Sequence, residues 1–132
     1  MDDVIDRILN GSKTVAVVGL SDKTGRPSNV VSLYLRERGY RVIPVNPNVI
    51  TVMGERSYGS LSEIPVGIDL VDVFRRSEYV PEVADEAIRV GAKFFWMQEG
   101  VVNEQARKKL VDAGIPVVMD RCVMKELETR GR

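Results

Sequence analysis

With 132 residues, 44% of them hydrophobic and 29% charged, the chain is sized for a single domain with one proper core; two ligand-binding domains would not fit in it. Nineteen basic residues balance nineteen acidic ones, so no overall field draws the protein to nucleic acid or to an anionic membrane, and any anion site has to be local. With no histidine and one cysteine, Cys/His zinc clusters, imidazole-dependent catalysis and an intramolecular disulfide are excluded, and no metal-ligating set is expected.

The chain opens Met1-Asp2-Asp3-Val4-Ile5-Asp6-Arg7, acidic where a secretory signal is basic, and no apolar run approaches the roughly 18 residues of a membrane-spanning helix. Together with the single cysteine, this leads to the expectation of a soluble cytoplasmic protein. One pattern then recurs four times: helical spacing, a glycine, and a short run rich in Val and Ile. Ile8-Leu9-Asn10-Gly11 runs into Thr14-Val15-Ala16-Val17-Val18. Val30, Val31, Tyr34 and Leu35 share one face of the next helix, whose Leu35-Arg36-Glu37-Arg38-Gly39 runs into Tyr40-Arg41-Val42-Ile43-Pro44-Val45. An irregular segment, residues 46–67, precedes a strand over residues 68–74. Pro81 suits the first turn of a helix with Val80, Val83, Ala84, Ala87 and Ile88 on one face, and Ile88-Arg89-Val90-Gly91 leads to Lys93-Phe94-Phe95-Trp96-Met97. Asn103 suits the cap of a further helix with Ala106, Leu110 and Ala113 inward, and Leu110-Val111-Asp112-Ala113-Gly114 leads to Ile115-Pro116-Val117-Val118-Met119. Glycine suits the left-handed residue that ends a helix, and near-continuous apolar runs suit strands covered on both faces. Joined by right-handed helical crossovers, these elements predict an α/β fold: a doubly wound parallel sheet of about five strands with helices on both faces.

In such a sheet ligands bind beyond the carboxyl ends of the strands, near the point where strand order reverses. The segments following the strands are Gly19-Leu20-Ser21-Asp22-Lys23-Thr24-Gly25-Arg26-Pro27-Ser28, Asn46-Pro47-Asn48, Arg75-Arg76-Ser77, Gln98-Glu99-Gly100 and Asp120-Arg121-Cys122. Lys23, Arg26, Arg75, Arg76 and Arg121 would thus give a neutral protein a cationic rim, although solvated surface bases are the alternative for each. The first loop departs from a Walker A sequence, with five residues between Gly19 and Gly25 and then Arg26-Pro27, so nucleoside triphosphate hydrolysis is not expected. It also departs from the dinucleotide fingerprint, because Ser21 stands where the second glycine belongs. Asn46 and Pro47 end the second strand where NAD-binding domains carry an acid against the adenosine ribose. A carboxylate there would repel a phosphorylated ribose, so its absence favours coenzyme A (CoA) or NADP over NAD; a plain turn stays open as the alternative. Helix amides near Pro27 and Ser28, with Arg26 or Lys23, would hold the diphosphate.

Val17-Val18-Gly19-Leu20-Ser21, Ser28-Asn29, Gly39-Tyr40-Arg41-Val42-Ile43-Pro44-Val45-Asn46-Pro47, Val71-Asp72-Val73-Phe74-Arg75, Gly91-Ala92-Lys93, Trp96-Met97-Gln98-Glu99-Gly100-Val101, Asn103-Glu104 and Val118-Met119-Asp120-Arg121-Cys122 resemble the stand-alone CoA-binding domain proteins. The resemblance runs in order over nearly the whole chain. It implies a Rossmann-like fold similar to the CoA-binding domain of the succinyl-CoA synthetase α subunit and of NDP-forming acyl-CoA synthetases, with CoA as the cofactor. It places Gly19, Leu20, Ser21, Lys23, Arg26 and Ser28 around the CoA phosphates and Asn46 and Pro47 beside the adenosine. Phe74, Arg75, Gln98, Glu99, Gly100 and Val101 would line the remaining cleft, with core packing for Phe74 and an ion pair for Arg75 as alternatives. Those synthetases pass phosphate through a histidine, which this chain lacks.

Glu99 and Glu104 lie toward the ligand edge, but Glu104 follows a helix cap, where an acid stabilises the helix dipole. Cys122, beside Arg121 and ahead of a short helix over residues 123–127, is the one group with reactive promise. It would form a mixed disulfide with the CoA thiol under oxidation, or else serve as a small buried hydrophobe. Three functions follow: a CoA or acyl-CoA module without catalysis of its own, acting as carrier, sensor or regulatory partner; an NADP-binding Rossmann-type redox enzyme or sensor; or a small acyl-CoA enzyme using Glu99, Glu104 or Cys122. A protein partner or homo-oligomer stays open.

Overall fold

The computed structural model describes residues 1–132. Helix α1 (Asp2–Gly11) leads into strand β1 (Thr14–Val18), helix α2 (Pro27–Glu37) and strand β2 (Arg41–Val45). A small hairpin, β3 (Thr51–Val52) and β4 (Glu55–Arg56), and a 3-10 turn at Leu61–Glu63 precede β5 (Leu70–Val73). A second 3-10 turn (Ser77–Tyr79) runs into α3 (Val80–Val90), followed by β6 (Phe94–Met97), α4 (Glu104–Asp112), β7 (Val117–Val118) and α5 (Val123–Thr129). Five strands form one sheet in the order β2-β1-β5-β6-β7, every neighbouring pair parallel. The fold is therefore the Rossmann-like α/β arrangement that the glycine-punctuated pattern predicts.

Side chains alternate along each strand, so the same runs feed two cores. Ala16, Val18, Val71, Val73, Phe95 and Met97 meet Val80, Val83, Ala84 and Ala87 of α3 and Ala106 and Leu110 of α4. Val15, Val17, Leu70, Phe94 and Trp96 meet Ile5, Ile8 and Leu9 of α1, Val31 and Leu35 of α2, and Val123 and Leu127 of α5. Both faces of the sheet are covered, which explains why its strands read as continuous hydrophobic runs.

Several details differ from the sequence expectations. The stripe that α2 buries is Ser28, Asn29, Val31, Ser32 and Leu35, leaving Val30 42% exposed. Short polar side chains fit against the sheet where larger apolar ones were expected. Ala113 is exposed at the C-terminal cap of α4, and β5 and β7 are shorter than the apolar runs containing them. Gly11 ends α1 without a left-handed turn, and the Phe94 ring stands 3.2 Å from where a Cβ would be. The segment expected to be irregular holds the β3-β4 hairpin, and Tyr58 after it bridges to Val45, with Asn46 N–H donating to the Tyr58 carbonyl at 2.9 Å.

One residue stands out against the apolar interior. Asp72 of β5 lies in register between Val17 and Trp96, fully buried, and neither carboxyl oxygen has a hydrogen-bond partner. Burial pushes its carboxyl well above the ordinary carboxylate range, which favours the neutral form.

Candidate functional site

The strand order sets where a ligand can enter. β1 pairs with β2 on one side and β5 on the other, and the helices that follow β1 and β5 cover opposite faces, so the chain parts above the end of β1. Gly19 marks this switch point. Its φ is +88°, and a Cβ there would lie 2.6 Å from the Phe74 carbonyl oxygen, so only glycine lets the β1 loop pass so close to the end of β5. Beside it a cleft of about 520 Å³ opens over Val18 and Val45. Asn46, Pro47 and Asn48 border it from β2, Phe74, Arg75 and Arg76 from β5, and Ser60 from the 3-10 turn region. Tyr79, Glu82, Val83 and Glu86 form its wall along the start of α3. This is the volume of an ordinary ligand site.

The cleft gathers Gly19, Asn46, Pro47, Phe74 and Arg75 from the residues that the sequence singles out. Leu20, Ser21, Lys23, Arg26 and Ser28 lie instead on the loop leading to the α2 N-terminus. There Leu20 is fully buried and fastens the loop to the α2 face of the sheet. Ser28 is buried, and its hydroxyl accepts the Ser21 N–H at 2.9 Å, while the Ser21 hydroxyl accepts the Lys23 N–H at 3.1 Å. Asn29 Nδ2 donates to the Ser21 carbonyl at 2.9 Å, so these groups shape the loop. Lys23 and Arg26 are exposed, and no side chain caps α2. Asn46 ties β2 to the same loop: its Nδ2 donates to the Leu20 carbonyl at 3.0 Å and its Oδ1 accepts the Asn48 N–H at 2.9 Å.

Gln98, Glu99, Gly100 and Val101 do not line the cleft. Gln98 is buried and its Oε1 accepts the Val123 N–H at 3.2 Å, capping α5. Glu99 pairs with Lys125 at 3.0 Å, the Gly100 N–H donates to Asp120 Oδ1 at 2.7 Å, and Val101 is packed in the α3-α4 core. Their polar groups fasten the end of β6 to α5 and to the turn after β7. Arg121 leaves the cationic rim as well, pairing with Glu126 at 3.3 Å, and Glu104 pairs with Arg107. Cys122 is 6% exposed and belongs to the same buried apolar cluster as Val17, Leu20 and Trp96, the surroundings of a small hydrophobe.

The sequence reading passes over Tyr79, Glu82 and Glu86. Their spacing of three and four places them on one face of α3 and its entry turn, a signal that was open to view but overlooked beside the glycine-rich loop. Arg75 lies over the Tyr79 ring, its guanidinium carbon 4.7 Å from the centroid. Glu86 Oε1 accepts the Leu61 N–H at 2.5 Å, holding the 3-10 turn against α3.

Residues 13–128 match the family model described as the CoA binding domain. The chain is 47% identical over 119 residues to the "Uncharacterized protein YneT" of Bacillus subtilis, covering 90% of this chain and 88% of that protein. A structure described as a hypothetical protein from Pyrococcus horikoshii superposes with a TM-score of 0.94 at 41% identity, over 98% of this chain and 91% of the other. The "Acetate--CoA ligase [ADP-forming] II" of Archaeoglobus fulgidus is 32% identical over 98 residues, covering 73% of this chain and 15% of its own length. The chain thus spans less than a fifth of that ligase.

Proposed function

The chain belongs to the CoA-binding domain family, and from that premise we propose that it is a single-domain CoA- or acyl-CoA-binding protein of the cytoplasm, acting as carrier, sensor or regulatory module. The observation that carries this reading is the family match over residues 13–128, placed on a chain whose 520 Å³ cleft opens at the switch point of its sheet. The exposed Lys23 and Arg26 supply charge-assisted hydrogen bonds to the diphosphate, on a loop that the Ser21, Ser28 and Asn29 contacts hold in shape. Asn46 and Pro47 border the adenosine, with no carboxylate at the end of β2 to repel a phosphorylated ribose. Phe74 and Arg75 line the space beyond. Lacking histidine, the chain has no phosphohistidine relay, and the reading stops at binding.

Calorimetric titration against CoA, acetyl-CoA, NADP, NAD and ATP tests it, because these ligands share adenosine and differ in phosphate placement and in the thiol arm. The expected result is binding of CoA or acetyl-CoA well ahead of the others. Binding of NADP without CoA overturns the reading in favour of a redox function.

A further inference from the structure

We propose that Arg75 and Arg76 bind a second anionic group of the ligand, separate from the diphosphate held by the Lys23 and Arg26 loop. The inference rests on the CoA reading above and deepens it. Both arginines are exposed in the cleft, and neither forms an ion pair or a side-chain hydrogen bond. Their freedom contrasts with Arg89, Arg107, Arg121 and Arg130, each paired to an acid. The Arg75 guanidinium carbon lies 4.7 Å from the centroid of the Tyr79 ring, and its N–H groups, engaged by no acid, are free for bidentate contact with phosphate or carboxylate.

The carboxylates along the same wall do not neutralise this pair. Glu86 is engaged by the Leu61 N–H and by Arg89. Glu82, on the same wall, forms no ion pair with Arg75 or Arg76, and its charge disfavours an anion beside it. Lys23 and Arg26 do not line the cleft, so the two basic pairs are separate stations around the switch point. A ligand engaging both carries its diphosphate and one further anionic group. On CoA esters that group comes from two sources: the phosphate on the adenosine ribose, or a carboxylate at the end of the acyl chain.

The test titrates CoA, dephospho-CoA, acetyl-CoA and succinyl-CoA into the wild-type protein and the Arg75→Gln/Arg76→Gln variant, with a thermal melt confirming that the variant is folded. If the double variant does not fold, Arg76→Gln alone replaces it. The expected result is a wild-type preference of at least tenfold for CoA over dephospho-CoA, assigning the ribose phosphate, or for succinyl-CoA over acetyl-CoA, assigning the carboxylate. That preference falls below threefold in the variant. Wild-type binding of CoA with neither preference, or a preference unchanged in the variant, overturns the proposal and leaves the CoA reading standing. Failure of the wild type to bind any of the four overturns both.

Discussion

Asp72 shows at the scale of one residue how far the interior of this sheet departs from water. Its carboxyl has no partner, and burial favours the neutral form. Its folded pKa is raised, so between the ordinary aspartate value and that raised value the native state binds a proton that the unfolded chain releases. Stability is fully present below the ordinary value and declines as pH rises through this window, by up to about 1.4 kcal/mol per pH unit. Asp72→Asn removes the titration, and urea unfolding is expected to show a variant more stable than wild type at neutral pH with a flatter profile; a wild-type profile already flat over that range contradicts the assignment. Arg26 has the opposite character: exposed, unpaired and at the entry to α2. Arg26→Ala is expected to weaken CoA by roughly 1.5–3 kcal/mol, the worth of a hydrogen bond to a charged group, while leaving the melting temperature of the free protein in place. Calorimetry and a melt on the same sample separate the two effects.

At the scale of the element, helix ends decide more than helix faces. Asn103 Oδ1 accepts the Ala106 N–H at 2.8 Å, capping α4, and its Nδ2 donates to the Ser77 carbonyl at 2.9 Å, joining α4 to the turn that begins the α3 wall. Asn103→Ala is expected to cost about 1–2 kcal/mol in urea unfolding. The cap was legible in the sequence, since an Asn before a run with helical spacing has one favoured place. The five strands of the main sheet were equally legible, because a strand covered on both faces is apolar along most of its length, Asp72 of β5 being the buried exception. The inward stripe of α2 was not, since Ser28, Asn29 and Ser32 look like surface residues, and the loop that Ser28 and Asn29 pin is not visible in the helix's own pattern. The same holds for Gln98, Glu99 and Gly100, whose place at a strand end suggested ligand contact. Their partners, Val123, Lys125 and Asp120, lie twenty or more residues along the chain, and local pattern carries no trace of them.

At the scale of the whole molecule, the helices following β1 and β5 diverge to opposite faces of the sheet, and the two basic stations divide with them. Lys23 and Arg26 stand at the start of the helix on one face, Arg75 and Arg76 at the turn leading to the helix on the other. A ligand spanning the switch point therefore restrains two segments distant in sequence, residues 19–30 and 74–82, and leaves the far edge of the sheet untouched. Hydrogen exchange with and without CoA reads this directly, since amides that open locally slow down when a ligand holds their segment closed. Both segments are expected to gain protection together, with little change at residues 98–101 and 120–124, whose contacts join β6, β7 and α5 and not the cleft. Protection at the second pair would return Gln98 to Val101 to the ligand and move the binding path from the β1-β5 crevice toward the β6-β7 edge. Protection at residues 19–30 alone would reduce the site to a diphosphate grip and leave the cleft beside it empty.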